Sequence, residues 1–210
     1  MVSKGEGQHL EFKLKAAFPE KIVREFVAFA NTDGGQLLVG VDDNGRISGS
    51  KFAEEDRFVI AKAISDHIKP GIKYQFEFIQ INRKRSVLHY KVFETRKKPI
   101  YYLPDPQKRG LAFVRVEDKS VKASREMVEI LRRSKTNKSY PVRLNETAQK
   151  LFRYLAENGK ATLADFIEIS DLSKYKASQV LVSLVISNIL KIEIGDKVDY
   201  YSMKEIEENN

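Results

Sequence analysis

The sequence predicts an α+β protein in two parts, and three observations carry that prediction. Strand-like and helix-like hydrophobic periods alternate in mixed order over the first two thirds of the 210 residues. The stretch RSKTNKSYP, residues 133–141, lacks apolar periodicity and reads as a linker. Beyond it, three helical segments precede a short alternating ribbon.

The elements follow in order. HLEFKLK alternates, with Leu10, Phe12 and Leu14 on one face and His9, Glu11, Lys13 and Lys15 on the other, as a half-buried strand does. From Pro19, Ile22, Val23, Phe26, Val27 and Ala30 recur at helical spacing, and proline suits the first turn. NTDGG at 31–35 stops that helix, because Asn, Asp and Gly tolerate the positive φ of a tight turn. QLLVGVDD is too short and too apolar for a surface helix and reads as a buried strand. Gly40 inside it marks either a bulge or a close backbone approach. Residues 52–68 form a second helix, ended by Pro70-Gly71. Two strands flank NRKRS as a hairpin with Arg83, Lys84 and Arg85 at its tip, a further strand or turn passes through PIYYLP and another covers GLAFVRVED, and a helix covers 124–133.

In the second part, Leu144, Ala148, Leu151, Phe152 and Leu155 make an amphipathic helix ended by Asn158-Gly159. TLADFIEISDLS holds a short helix, residues 173–190 a longer one, and KIEIGDKVDYYSM a hairpin around Gly195-Asp196. This order matches a winged helix-turn-helix. The expected domains are 1–133, a linker at 134–141, and 142–206.

Composition narrows the function classes. An apolar content of 42% with 31% charge describes a globular chain. There is no apolar run long enough to span a membrane and no apolar core of a signal peptide, so no membrane partner and a cytoplasmic location are expected. With no cysteine, disulfides, thiolate catalysis and cysteine-ligated zinc are excluded. His9, His67 and His89 are too scattered to build a zinc hydrolase or a serine triad. The glycines fit neither a P-loop nor G-x-G-x-x-G, so no ATP phosphate loop is expected.

The net charge of +8 is unevenly distributed. Residues 1–138 carry 28 Lys+Arg against 18 Asp+Glu, and residues 139–210 carry 9 against 11. A polyanion is therefore expected on the first part, through phosphate contacts that release counterions. Its basic loop tips are Arg83-Lys84-Arg85, Arg96-Lys97-Lys98 and Lys108-Arg109.

Set into this basic part are acids. Glu6 and Glu11 are five apart and converge only across a loop-to-strand junction, while Asp42 and Asp43 end the buried strand. If the first strand lies beside QLLVGVDD, these carboxylates meet at one sheet edge, where hard oxygen ligands suit Mg²⁺ or Mn²⁺. The same spacing is equally that of surface charges and turn-formers.

The motif E-G-Q-H-L-E-F-K at 6–13, followed by A-F-A-N-T-D-G-G-Q-L-L-V-G-V-D-D-N-G at 28–45, resembles the AlbA-like domain of the Schlafen family. K-P-I-Y-Y at 98–102 and F-V-R-V at 113–116 are similar to later family segments, so the resemblance covers roughly residues 5–133. It implies a mixed sheet with helices, and a metal-dependent RNA-cleaving centre in the nuclease members. The matching positions are Glu6, Glu11 and Asp43, as catalytic residues and metal ligands, and Lys13 matches the lysine next to that cluster, as a phosphate contact. After Arg115 the family commonly continues x-G-S, whereas this chain has Val116-Glu117-Asp118. Nuclease members pack two such lobes into one groove; this chain has one, and a homodimer would restore the pair.

Two functions compete at this point. One is a DNA-binding transcriptional regulator that grips phosphates with Lys13, Lys15, Arg115 and the basic loop tips, its winged helix either presenting Lys174 and Lys176 at the start of a recognition helix or serving as a dimerisation module. The other is a divalent-metal-dependent nuclease acting on RNA or DNA through the Glu-Glu-Asp cluster. A third, a nucleotide sensor, reflects the ATP-binding label that some relatives carry.

Overall fold

The computed structural model describes residues 2–105, 107–134, 146–195 and 197–205. It is an α+β structure of two compact units, residues 1–122 and 123–210. Among the described residues no helix is long and apolar enough to cross a membrane.

Unit 1 is built on a mixed four-stranded sheet. Strand β1 (Leu10–Lys13) runs parallel to β2 (Gly35–Val39), and helix α1 (Pro19–Asn31) makes the crossover between them. A turn at 42–45 and helix α2 (Ala53–His67) follow, then a two-residue β3 (Ile68–Lys69) and the long hairpin of β4 (Tyr74–Asn82) and β5 (Arg85–Val92). The sheet order is β1-β2-β5-β4, so β4 is an edge strand. β6 (Tyr101–Tyr102) pairs with β3, and β7 (Phe113–Val116) pairs with β8 (Lys119–Lys122) across a turn at Glu117-Asp118.

Successive β2 side chains point to opposite sides, and both sides are buried there. Leu37 and Val39 join Ile22, Phe26 and Phe29 of α1, Ile60 and Ile64 of α2, and Leu88 and Tyr90 of β5 in the main core. Leu38 packs the other way, with Phe12, Val41 and Val87. The half-exposed β1 expected from its alternation is corrected accordingly: Glu11 is only 6% exposed, and Leu14, expected inward, is exposed. Burial of both faces in the middle of β1 overrides the period-2 reading.

The NTDGG segment is a structural lock as well as a helix stop. Asn31 is buried; its Nδ2 donates to Ile100 O (2.9 Å) and Phe113 O (3.0 Å), and its Oδ1 accepts from Ile100 N (2.7 Å). Thr32 Oγ1 donates to Ala28 O and accepts from Arg115 N, each at 2.9 Å. Gly34 has φ +74°, and a Cβ there would lie 2.8 Å from Val92 O. Gly40 shows the close backbone approach: its would-be Cβ lies 3.0 Å from Gly49 Cα, and its φ is +106°.

Unit 2 begins with α3 (Arg125–Arg133), whose N-cap Ser124 accepts from Met127 N. Residues 135–145, which hold nearly all of the expected linker and the capping position before the next helix, lie outside the described residues. Then come α4 (Glu146–Asn158), α5 (Leu163–Ser170), α6 (Lys174–Ile186) and the antiparallel pair β9 (Leu190–Glu193) and β10 (Tyr200–Met203). Leu151, Leu155, Phe166, Ala177, Leu181, Leu184 and Tyr201 form the core. Thr162 and Asp165 close a reciprocal capping box at the start of α5. α6 stops short of the expected residue 190 because Asn188 adopts a left-handed backbone, φ 63°. α3 packs on α6 within this unit, with Ser178 Oγ donating to Glu126 Oε1 at 2.6 Å.

Candidate functional site

Glu6 reaches Glu11 because the chain folds back before β1. Gly7 and Leu10 exchange backbone hydrogen bonds, and this tight return lets Glu6 Oε1 accept from Phe12 N at 2.8 Å. Asp43 arrives from the other side, exposed in the turn after β2, where Asp42 Oδ1 accepts from Asn44 N and Arg46 N. Asp42 is thus a turn-former. Burial raises the Glu6 pKa above the ordinary glutamate value, and the nearby charges of Glu11 and Asp43 raise it further, against the pull of Phe12 N–H and Lys13.

Glu11 is engaged in a different direction. Its Oε2 accepts from Arg115 Nη1 at 2.9 Å, and Lys13 Nζ contacts Oε1. The same Arg115 Nη1 donates to Glu25 Oε2 at 2.8 Å, and Nη2 donates to Gly7 O at 2.7 Å. Ser120 Oγ donates to Glu25, and the guanidinium lies over the Phe29 ring, 4.9 Å from its centroid. Arg115 is 4% exposed, so this is a buried ionic network binding β1, α1, β7 and β8 together. Burial raises the Glu25 pKa, with Glu11 adding to the rise; Ser120, Lys13 and Arg115 oppose it.

Glu25 and Ser120 are the participants that sequence reasoning missed. The signal was present for Glu25: it lies three residues after Ile22 and four before Phe29, on the apolar face of α1. Ser120 carried no such signal, since only the β7–β8 hairpin brings it to Arg115.

These carboxylates do not fit a divalent cation as they stand. Both Glu11 oxygens face cationic groups, one Glu6 oxygen is taken by a backbone N–H, and among the described residues no three His, Asp or Glu side chains are grouped to hold a metal ion.

The basic residues divide into two sets. Lys13 and Arg115 belong to the network, and Lys98 Nζ is held by Thr32 O (2.9 Å) and Glu94 (2.6 Å). Arg83, Lys84, Arg96, Lys97, Lys108 and Arg109 are exposed, Lys108 lying 3.6 Å from Asp105. Arg85 belongs to β5 rather than to the hairpin tip, and its Nη1 donates to Ser48 O (3.0 Å) and Gly49 O (3.2 Å). It lines an open groove of about 550 Å³ together with Lys15, Ser48, Ser50, Lys51 and Phe52. The acid in that groove, Asp56, accepts from Ser50 Oγ at 2.6 Å. In unit 2, Lys174 and Lys176 are exposed in the first turn of α6, after the N-cap Ser173.

Comparison with solved structures returns the DIP2311 protein of Corynebacterium diphtheriae at 18% identity and a TM-score of 0.46, covering 83% of this chain and 32% of that one. This chain therefore spans about a third of the length of that protein. It also returns the N-terminal domain of a RecG-related protein from Nitrosomonas europaea, at 23% identity and a TM-score of 0.38, covering 51% of this chain and 76% of that domain. The family model described as Schlafen, AlbA_2 matches residues 6–124, a span that holds the Glu6–Glu11 return, the Asn31 lock and Arg115. With more than half of its length inside that match, the chain belongs to the Schlafen AlbA_2 family.

Proposed function

We propose that this protein binds nucleic acid through unit 1, as a DNA-binding transcriptional regulator. The observation that carries the reading is the exposed basic surface formed by the hairpin tip, Arg83 and Lys84, and the groove bearing Lys15, Lys51 and Arg85. Unit 1 carries 23 Lys+Arg against 16 Asp+Glu, and unit 2 carries 14 against 13. The polyanion therefore has its main grip on unit 1. The order α4, α5, α6 and then the β9–β10 ribbon, after α3, supports a winged-helix reading of unit 2, with Lys174 and Lys176 contributing contacts at the start of α6. A second copy of the chain belongs to this reading, since one lobe offers one basic surface. Such a regulator would act in the cytoplasm.

Fluorescence anisotropy with labelled duplex DNA, single-stranded DNA and RNA over a salt series is the test. Affinity that falls steeply between about 50 and 200 mM salt supports the reading. Salt-independent or undetectable binding to all three ends it.

The second reading is divalent-metal-dependent cleavage of nucleic acid by Glu6, Glu11 and Asp43. What favours it is the match of Glu6, Glu11 and Asp43 to the family motif, with the return before β1 bringing Glu6 onto Phe12 N beside Glu11. It requires Glu11 to exchange its contacts with Lys13 and Arg115. Mn²⁺-dependent cutting of end-labelled RNA that is lost in Glu11→Gln would establish it.

A further inference from the structure

Among the described residues, no strand pairs with the outer edge of β4. Its sequence, YQFEFIQIN, contains no Lys, Arg or Pro, and its charged carboxylate is Glu77, 2.8 Å from His89 Nδ1. Phe76 (42%), Phe78 (37%), Ile79 (42%) and Ile81 (42%) are exposed along it. Soluble proteins blunt such edges with charge, proline or a covering element, because an open row of backbone groups templates pairing. The devices on this strand are the single Glu77 carboxylate and a register irregularity between Gln80 and Asn82 at its far end.

The direction of the free backbone groups follows from the ladder. Phe93 N donates to Lys73 O, so in this antiparallel pair the odd-numbered β4 residues exchange hydrogen bonds with β5. Ser86 agrees, since it bonds to Ser50 on the side away from β4. The N–H and C=O groups of Tyr74, Phe76, Phe78 and Gln80 therefore face outward, and among the described residues no backbone bond outside the ladder reaches them.

We propose that β4 pairs antiparallel with β4 of a second copy of this chain, about a two-fold axis at Phe78, joining two four-stranded sheets into one. This supplies an interface for the homodimer included in the reading above. Phe78 is the midpoint of residues 74–82, so this register spans the strand, with the regular segment Phe76–Gln80 paired about the axis and the shifted Asn82 end outside it. Phe76 falls opposite Gln80 of the partner subunit, and Glu77 opposite Ile79 of the partner subunit, so no like charges face each other directly. Charge also selects the occupant. Unit 1 has a cationic excess elsewhere, so two copies repel except along a strip of this kind, and a polyanion gains nothing from a strand whose charge is a carboxylate.

The test uses the full chain, which has no native cysteine, in light scattering and in disulfide trapping. Wild type at micromolar concentration is expected at twice the monomer mass of 24.1 kDa. Phe78→Lys with Ile79→Lys should weaken the dimer at least tenfold while keeping the wild-type circular dichroism. Phe78→Cys should form an intermolecular disulfide under mild oxidation, because opposed Cα atoms in a hydrogen-bonded pair lie about 5.5 Å apart, within disulfide reach. Phe18→Cys, exposed on another face, should not. A monomer at all concentrations, or a dimer untouched by the lysines and untrapped at position 78, overturns the inference. Either result leaves nucleic-acid binding standing if the anisotropy titration is salt-sensitive.

Discussion

Arg115 Nη1 lies 2.9 Å from Glu11 Oε2, joining a residue of β7 to one of β1 across 104 positions of sequence. With Glu25 on the same nitrogen and Gly7 O on the other, the guanidinium is the hub of the N-terminal lobe. Family-matching residues thus serve first to close the fold.

Arg115→Met should destabilise unit 1 by about 3–5 kcal/mol, because it strands Glu11 and Glu25 as buried carboxylates. Urea denaturation followed by circular dichroism measures this. Adding Glu25→Gln should recover part of the loss, and a strictly additive double-mutant cycle would show that the two residues do not interact.

Glu25 also has a pH signature. Its folded pKa is raised above the ordinary 4.5, so the native state binds its proton more tightly than the unfolded chain. The contribution is therefore most favourable below about 4.5 and is lost as pH rises through the folded value. Wild type minus Glu25→Gln stability should fall across that interval. A flat or rising difference would contradict the assignment.

Asn31→Ala should cost about 2–4 kcal/mol. The change leaves Ile100 N, Ile100 O and Phe113 O buried without their partner, and each unsatisfied group carries a penalty of about 1–3 kcal/mol that is only partly additive. A thermal melt close to wild type would show that water replaces the amide there.

Lys51→Ala and Lys84→Ala should each reduce the salt slope of nucleic-acid binding by about one, with a uniform affinity loss across sequences. Neither side chain supports the core, so melting temperatures should stay within a few degrees. An unchanged slope in both would move the binding surface elsewhere on unit 1.

Local periodicity was enough to place α1, α2, the β4–β5 hairpin and the helices of unit 2, because each is encoded by neighbours within a few turns or one hairpin. The charge excess of the N-terminal part and the Glu6, Glu11 and Asp43 positions were equally legible, since residue type and motif spacing carry them. What the carboxylates face was not. Glu11 read as a solvent-side residue of an alternating strand, yet it is buried against Arg115, and the register that joins them depends on β7 lying over α1. Long-range pairing likewise recruited Glu25 and Ser120, buried Arg115, and left β4 at the sheet edge. These are outcomes of which strands become neighbours, a choice made by the summed packing of distant segments that no local window of sequence contains.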